Sequence, residues 1–326
     1  MGFGRVVAAA LLGLLVLGLC GCGPGSRAAP DPPPSASPPG PAPSATPPPV
    51  RPSASPSTNA QGNGVMVPPL PDLSRFPARE PHPPGPASRI GADVSWPQCP
   101  KGTGIAHKRG EGRPMPTPAA RFVVLGLTNG PSFVPNPCLA DQVRWVRARH
   151  LLAAAYAVVS YPDAHTLDEL GDDGPYDGGT RTGALANTGY RAALFDVATM
   201  HRTGLRTPVV WVDVEHVPYV PWSPDTRANA AVVRGAVSGF RDAGFEVGVY
   251  STLSLWRDIV GDLRLGLPAW RPAGHTSMRE ALRRCRDDWS FQGGHGVLAQ
   301  WVDATGDRDI VCPGAGRDPS RWFHRY

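Results

Sequence analysis

"PVVWVDVEH" (residues 208–216) is a Pro-initiated run of Val and Trp that carries two carboxylates, Asp213 and Glu215. Its β-branched and aromatic residues favour extended backbone, so the run reads as a buried strand. Successive strand side chains point to opposite faces. Asp213 and Glu215 therefore project together, while Val212 and Val214 face the other way. His216-Val217-Pro218 then breaks the pattern. Acids at the C-terminal end of a strand can line the mouth of a barrel instead of lying unpaired in its interior. Two like charges this close raise the pKa of at least one of them. One carboxyl kept protonated beside one kept ionised is the arrangement that glycoside hydrolysis needs. The plainer alternative is a pair of acids held by Arg that merely finishes the strand.

Outward from this run, short apolar stretches alternate with helical patterns. Strands are expected at "IGADVS" (90–95), "RFVVLGLT" (121–128), "LLAAAYAVVS" (151–160), "PVVWVDVE" (208–215) and "EVGVYS" (246–251), with shorter ones at "LPAWRPA", "GVLAQWVD" and "DRDIVC". Helices are expected at "LADQVRWVRARH", "ALANTGYRAALFDVATMHRTG" and "DTRANAAVVRGAVSGFRDAG". The last has Ser223-Pro224 before it, Gly244 at its end, and apolar Ala230, Val233, Val237 and Phe240 at helical spacing. This alternation predicts an α/β fold, an irregular TIM-like (β/α) barrel over 90–326 whose last strands lack full crossover helices. A doubly wound open sheet is the alternative, but no Gly-rich G-x-G-x-x-G turn follows the first strand.

The ends of the chain and its cysteines set the compartment. Residues 1–21 carry an early Arg and the apolar run "VVAAALLGLLVLGL", which is the grammar of an export signal. The run closes on Leu19-Cys20-Gly21-Cys22, which resembles a bacterial lipobox; that likeness implies cleavage before Cys22 and its lipidation, palmitate included. Residues 22–89 are rich in Pro, Ala and Ser, with Phe76 as the one aromatic, and read as a disordered spacer of polyproline character. The expected location is the extracytoplasmic face of the membrane, held by a lipid anchor on Cys22. Four cysteines remain, Cys99, Cys138, Cys285 and Cys312. Three pairings are open, and sequence order favours Cys99–Cys138 and Cys285–Cys312. The net charge of +5 is carried by scattered Arg, with Lys101 and Lys108 the only lysines. That pattern fits anionic surroundings and argues against a nucleic-acid footprint.

Further acids fall at strand ends. Asp93 in "GADVSW" ends the first strand, and Asp307 and Asp309 in "GDRDIVC" fall on the last. Barrel closure brings first and last strands together, so these acids can join the pair on the fourth. Aromatics near the expected rim could stack on sugar faces: Trp96, Tyr161, Trp222, Tyr250, Trp270 and Trp301.

The ordered set of motifs resembles glycoside hydrolase family 25, the Chalaropsis-type lysozymes. "GADVSW" is similar to the opening strand, "RFVVLGLTNG" to the second and "AAAYAVVSYP" to the third. "VVWVDVE" matches the Asp-x-Glu strand, "VGVYSTLSLW" the next and "LPAWRPAG" the short Trp strand. "VLAQWVD" with "GDRDIVC" matches the ending, which carries Gln300-Trp301 and Asp-x-Asp. The resemblance implies cleavage of the β-1,4 bond between N-acetylmuramic acid and N-acetylglucosamine in peptidoglycan. It implies Glu215 as general acid/base. Asp213 would stabilise a cationic intermediate formed with the substrate's 2-acetamido group, or serve more directly. Asp93 and one of Asp307 or Asp309 would assist, and Gln300 would join the substrate contacts. No metal or other cofactor is implied, the partner is a cell-wall glycan, and a monomer is expected.

The second strand ends Leu127-Thr128-Asn129, where the family often has Lys and Glu. That departure supports the competing reading, an inactive barrel that binds wall glycan or an exported partner protein. The acidic loop "DELGDDGPYDGG" (168–179) lacks a calcium-loop pattern, and neither H-E-x-x-H nor G-x-S-x-G is present.

Overall fold

The eight apolar runs become eight strands in the computed structural model, which describes residues 90–326. The leader, Cys22 and the Pro-rich segment lie outside the described residues. The strands are β1 (Ile90–Val94), β2 (Phe122–Gly126), β3 (Leu152–Val158) and β4 (Val209–Asp213). They continue as β5 (Glu246–Tyr250), β6 (Ala269–His275), β7 (Gly296–Asp303) and β8 (Gly306–Val311). Neighbours from β1 to β7 pair in parallel, and β8 closes the ring by pairing with both β7 and β1.

Both of the β8 pairings are antiparallel. Only Ala304 and Thr305 separate β7 from β8, and a parallel crossover needs about a dozen residues. The chain must double back. This reversal sets the depth of the last two acids. Asp307, opposite Val302, lies toward the end where the parallel strands finish; Asp309, opposite Gln300 and Gly91, lies deeper in the ring.

Strand parity divides the core in two. On β4, Val210 and Val212 face the helices, whereas Val209 and Trp211 join Phe122, Trp270 and Leu298 inside the barrel. The helical layer is α1 (Leu139–Arg147), α2 (Ala164–Leu170), α3 (Arg181–Thr203), α4 (Thr226–Asp242), α5 (Leu253–Val260) and α6 (Met278–Arg284). Asp225 caps α4 through its side chain, which accepts from the Arg227 and Ala228 amides, and Thr180 caps α3 in the same way. The α3 and α4 backbones come unusually close. A Cβ at Gly235 would sit 1.9 Å from the Ala186 carbonyl oxygen, so only glycine fits there. As the sequence anticipated, α6 is short and no helix joins β7 to β8.

The far end of the barrel is plugged by the C-terminus. Trp322 and Phe323 are both 3% exposed, and a two-residue strand, β9 (His324–Arg325), pairs antiparallel with the start of β3. The plug was not anticipated from sequence.

Cysteines pair as their order suggests, Cys99–Cys138 and Cys285–Cys312. The first ties the β1–β2 connection to the N-cap of α1 across 39 residues. Replacing Cys99 and Cys138 together by Ser should cost on the order of 2–4 kcal/mol through the freed loop entropy. Urea unfolding of the two proteins measures this, and equal midpoints would contradict it.

Candidate active site

Five carboxylates converge at the end of the ring where the parallel strands finish. Asp93, Asp213, Glu215 and Asp307 line a cavity of about 320 Å³, together with Ser95, Gln98, Tyr156, Tyr250, Trp270 and Gln300. Asp309, with no exposed surface, lies inside the ring close to Asp93. The strand β4 stops at Asp213, and Glu215 follows two residues later on the same side, as the alternation requires.

A hydrogen-bonded chain holds the floor. The Tyr250 hydroxyl donates to Gln300 Oε1 at 2.8 Å, and Gln300 Nε2 donates to Asp93 Oδ2 at 2.8 Å. Trp270 Nε1 donates to Asp309 Oδ1, also at 2.8 Å. Asp309 Oδ2 has no hydrogen-bond partner among the described residues. Burial, then the Asp93 charge, holds the Asp309 carboxyl well above the usual carboxylate range.

Burial is the first cause that raises each acid's pKa. Asp93 is pushed up to about 7 by burial and by the Asp307 charge, against the Gln300 hydrogen bond. Asp213 is held well above the usual carboxylate range by burial, then by Glu215 and Asp93, with Lys108 opposing. Glu215 is raised by burial, opposed by Lys108 and reinforced by Asp307. Burial also raises Asp307, against Arg113 and His275.

These shifts make the fold pH-dependent. An acid whose pKa rises on folding, as Asp93 does from 3.8 to about 7, binds its proton more tightly when folded. Its contribution is full below about pH 4 and is lost as pH climbs toward and past 7. The urea midpoint should therefore fall between about pH 4 and 8, and Asp93→Asn should remove part of that fall. An unchanged pH slope in the variant would contradict the assignment.

Of the aromatics singled out in the sequence, Tyr250 and Trp270 line the cavity, as does Gln300. Trp96 lies outside it, with the Lys108 ammonium 5.6 Å from its ring centre. Trp222 supports the site from behind: its Nε1 donates to the Glu215 carbonyl at 2.8 Å. Tyr161 lines a separate groove with Phe133 and Tyr219, and its hydroxyl accepts from Arg181. Trp301 is a clear correction. Gln300 takes the inward position on β7, so its neighbour Trp301 points out and packs with Ala281, Ile310 and Cys312.

Some contributors were not foreseen, Ser95 and Gln98 on the cavity wall among them. Tyr156 lines the cavity from β3, two residues before Val158, which is paired with Asp213; reading the parity of "LAAAYAV" would have found it. Lys108 had no comparable signal. It rides on a small hairpin that pairs Gly104–Ile105 with Lys108–Arg109. Asn129 anchors that hairpin, accepting from the Ile105 amide and donating to the Lys108 carbonyl, both at 2.9 Å. Among the described residues no group of three or more His, Cys, Asp or Glu is arranged to hold a metal ion.

Comparison with known proteins finds similarity to a lysozyme-like family and to a probable family 25 lysozyme. The family described as Lysozyme-like protein 1 matches at residues 186–271, the stretch that holds Asp213, Glu215, Tyr250 and Trp270. A probable GH family 25 lysozyme 4 of Dictyostelium discoideum is 38% identical over 64 residues, 19% of this chain and 29% of that protein. Counting factor 45-1 of the same organism is 36% identical over 75 residues, 23% of this chain and 25% of that protein. The chain thus spans under a third of the curated relatives it matches. Among solved structures, the lysozyme from Streptomyces coelicolor is 14% identical, covers 72% of this chain and 96% of its own, and superposes with a TM-score of 0.47. In its matched segments the chain is similar to the family 25 lysozymes.

Proposed function

We propose that the barrel hydrolyses a β-1,4 glycosidic bond of peptidoglycan or a related cell-wall glycan. The observation that carries this reading is the convergence of Asp93, Asp213, Glu215 and Asp307 in one open cleft at the mouth of the ring. Burial raises the pKa of Glu215, which favours the protonated form that a general acid needs. Asp213 Oδ1 is buried without a partner among the described residues, so it can accept the N–H of a substrate acetamido group.

In the first step the acetamido carbonyl oxygen bonds to the anomeric carbon. The glycosidic bond breaks as the leaving oxygen takes the Glu215 proton. The positive charge left on the sugar-derived ring faces the Asp213 carboxyl. A water then attacks the anomeric carbon and gives its proton to Glu215, which restores the acetamido group and the acid. Asp93 and Asp309 lie beneath, held by Gln300 and Trp270. Lys108 offsets part of the negative charge of the pair; its hairpin hangs on Asn129, at the end of the second strand.

We further propose that Cys22 carries a lipid anchor and that the domain works as a monomer at the extracytoplasmic face. Incubation of the full-length protein with purified peptidoglycan tests the activity. New reducing ends on N-acetylmuramic acid are expected, with turnover falling on the alkaline side as Glu215 loses its proton. The competing reading, a glycan-binding barrel without turnover, is favoured by one observation: Asn129 is occupied in holding the hairpin and is not free to serve a substrate. Binding without new reducing ends would decide for it.

A further inference from the structure

The end of the barrel opposite the carboxylates holds a second cavity, of about 260 Å³. Phe122, Leu151, Leu152, Val311 and Phe323 give it apolar walls. Arg121, Arg149, Arg325 and His150 also line it, and no carboxylate does. Among the described residues no ion pair engages any of these three arginines.

Local structure holds these groups in place. The Arg149 guanidinium lies 4.2 Å from the Trp145 ring centre and donates to the Trp145 carbonyl. Arg325 sits on β9, whose pairing with Leu152 of β3 fixes its backbone at the cavity. His150 follows the end of α1 with a φ of 53°, in a turn where the Leu151 amide donates back to the Val146 carbonyl. Glycine usually occupies such a turn; here an imidazole is carried to the cavity instead. The surroundings are positive too. His324 is held below the usual histidine range by burial first, and then by the charges of Arg206 and Arg147.

Unpaired guanidinium groups above an apolar floor suit an oxyanion that carries a hydrocarbon stem. Planar guanidinium forks match phosphate oxygens two at a time. The volume corresponds to roughly nine waters at about 30 Å³ each, enough for one phosphate and a few methylenes. Each methylene buried on the floor should tighten binding roughly fourfold.

We propose that this cavity binds a phosphate monoester on a short alkyl stem, at a site separate from the carboxylate cleft. The reading is independent of the proposed hydrolysis.

Titration calorimetry of the full-length protein with hexyl phosphate, inorganic phosphate and hexan-1-ol tests it. Hexyl phosphate should bind at least about tenfold more tightly than inorganic phosphate, and hexan-1-ol should give no saturable heat. Arg121→Gln combined with Arg325→Gln should weaken hexyl phosphate at least about tenfold with the unfolding midpoint unchanged. Arg149→Gln serves as a second variant should the double substitution disturb folding. Displacement of hexyl phosphate by phosphatidic acid vesicles would identify a lipid as the source of the ester, and resistance to displacement a soluble one; either outcome supports the site. Absence of hexyl phosphate binding, equal affinity in the arginine variants, or equal affinity for inorganic phosphate or hexan-1-ol would overturn it.

Discussion

Trp211→Ala is expected to destabilise the barrel by about 3–5 kcal/mol, the range for emptying a fully packed aromatic site. Trp211 has no exposed surface and sits inside the ring, its centroid 6.2 Å from those of both Trp270 and Trp322. It thus connects the layer under the carboxylates to the C-terminal plug. The neighbouring strand makes room for it: a Cβ at Gly248 would lie 2.3 Å from the indole. Its surroundings cannot easily collapse into the space, because the strands around it are pinned by ladder hydrogen bonds. Trp211 Nε1 has no hydrogen-bond partner among the described residues. Removing the indole therefore breaks no hydrogen bond, and the loss is one of packing. Trp211→Phe, which also removes the unpaired N–H, should cost less than the alanine variant. A domain stability of about 5–15 kcal/mol makes the alanine effect easy to read in urea unfolding. A loss under about 1 kcal/mol would mean that the barrel centre is not packed as described.

Much of this architecture is legible in the chain because strand chemistry is local. Each of the eight apolar runs is rich in β-branched or aromatic residues, or in Ala, and is bounded by turn residues; each forms a strand. The Asp213–Glu215 spacing already states that both acids face one way. What was not legible depends on contacts between distant segments. The reversal of β8 follows from a two-residue link, and its consequence, Asp307 at the mouth with Asp309 beneath, appears only once the pairing register is known. Lys108 offsets the charge of Asp213 and Glu215 from a hairpin that Asn129, 21 residues away, grips. Trp301 was misplaced for a simpler reason. Rim position was read without parity, and Gln300 and Trp301 cannot both face inward.

Glu215→Gln is expected to lower turnover on peptidoglycan by about 10²–10⁴-fold, the range that a positioned general acid contributes. The amide keeps the size of the carboxyl but cannot give up a proton to the leaving oxygen. Trp222 should still hold the segment, since its Nε1 bonds the Glu215 backbone carbonyl and not the side chain. Burial and Asp307 raise the pKa of Glu215, so the wild-type rate should fall as pH rises through that value. In the variant this alkaline limb should vanish along with the rate. Glycan affinity should change little, because the proton matters only as the bond breaks.

Release of reducing ends from purified peptidoglycan, compared between wild type and Glu215→Gln at matched folded protein, is the most direct measurement. The account predicts steady release by the wild type and a loss of at least about a hundredfold in the variant with glycan binding retained. Equal release by both proteins, or none by either, would contradict it.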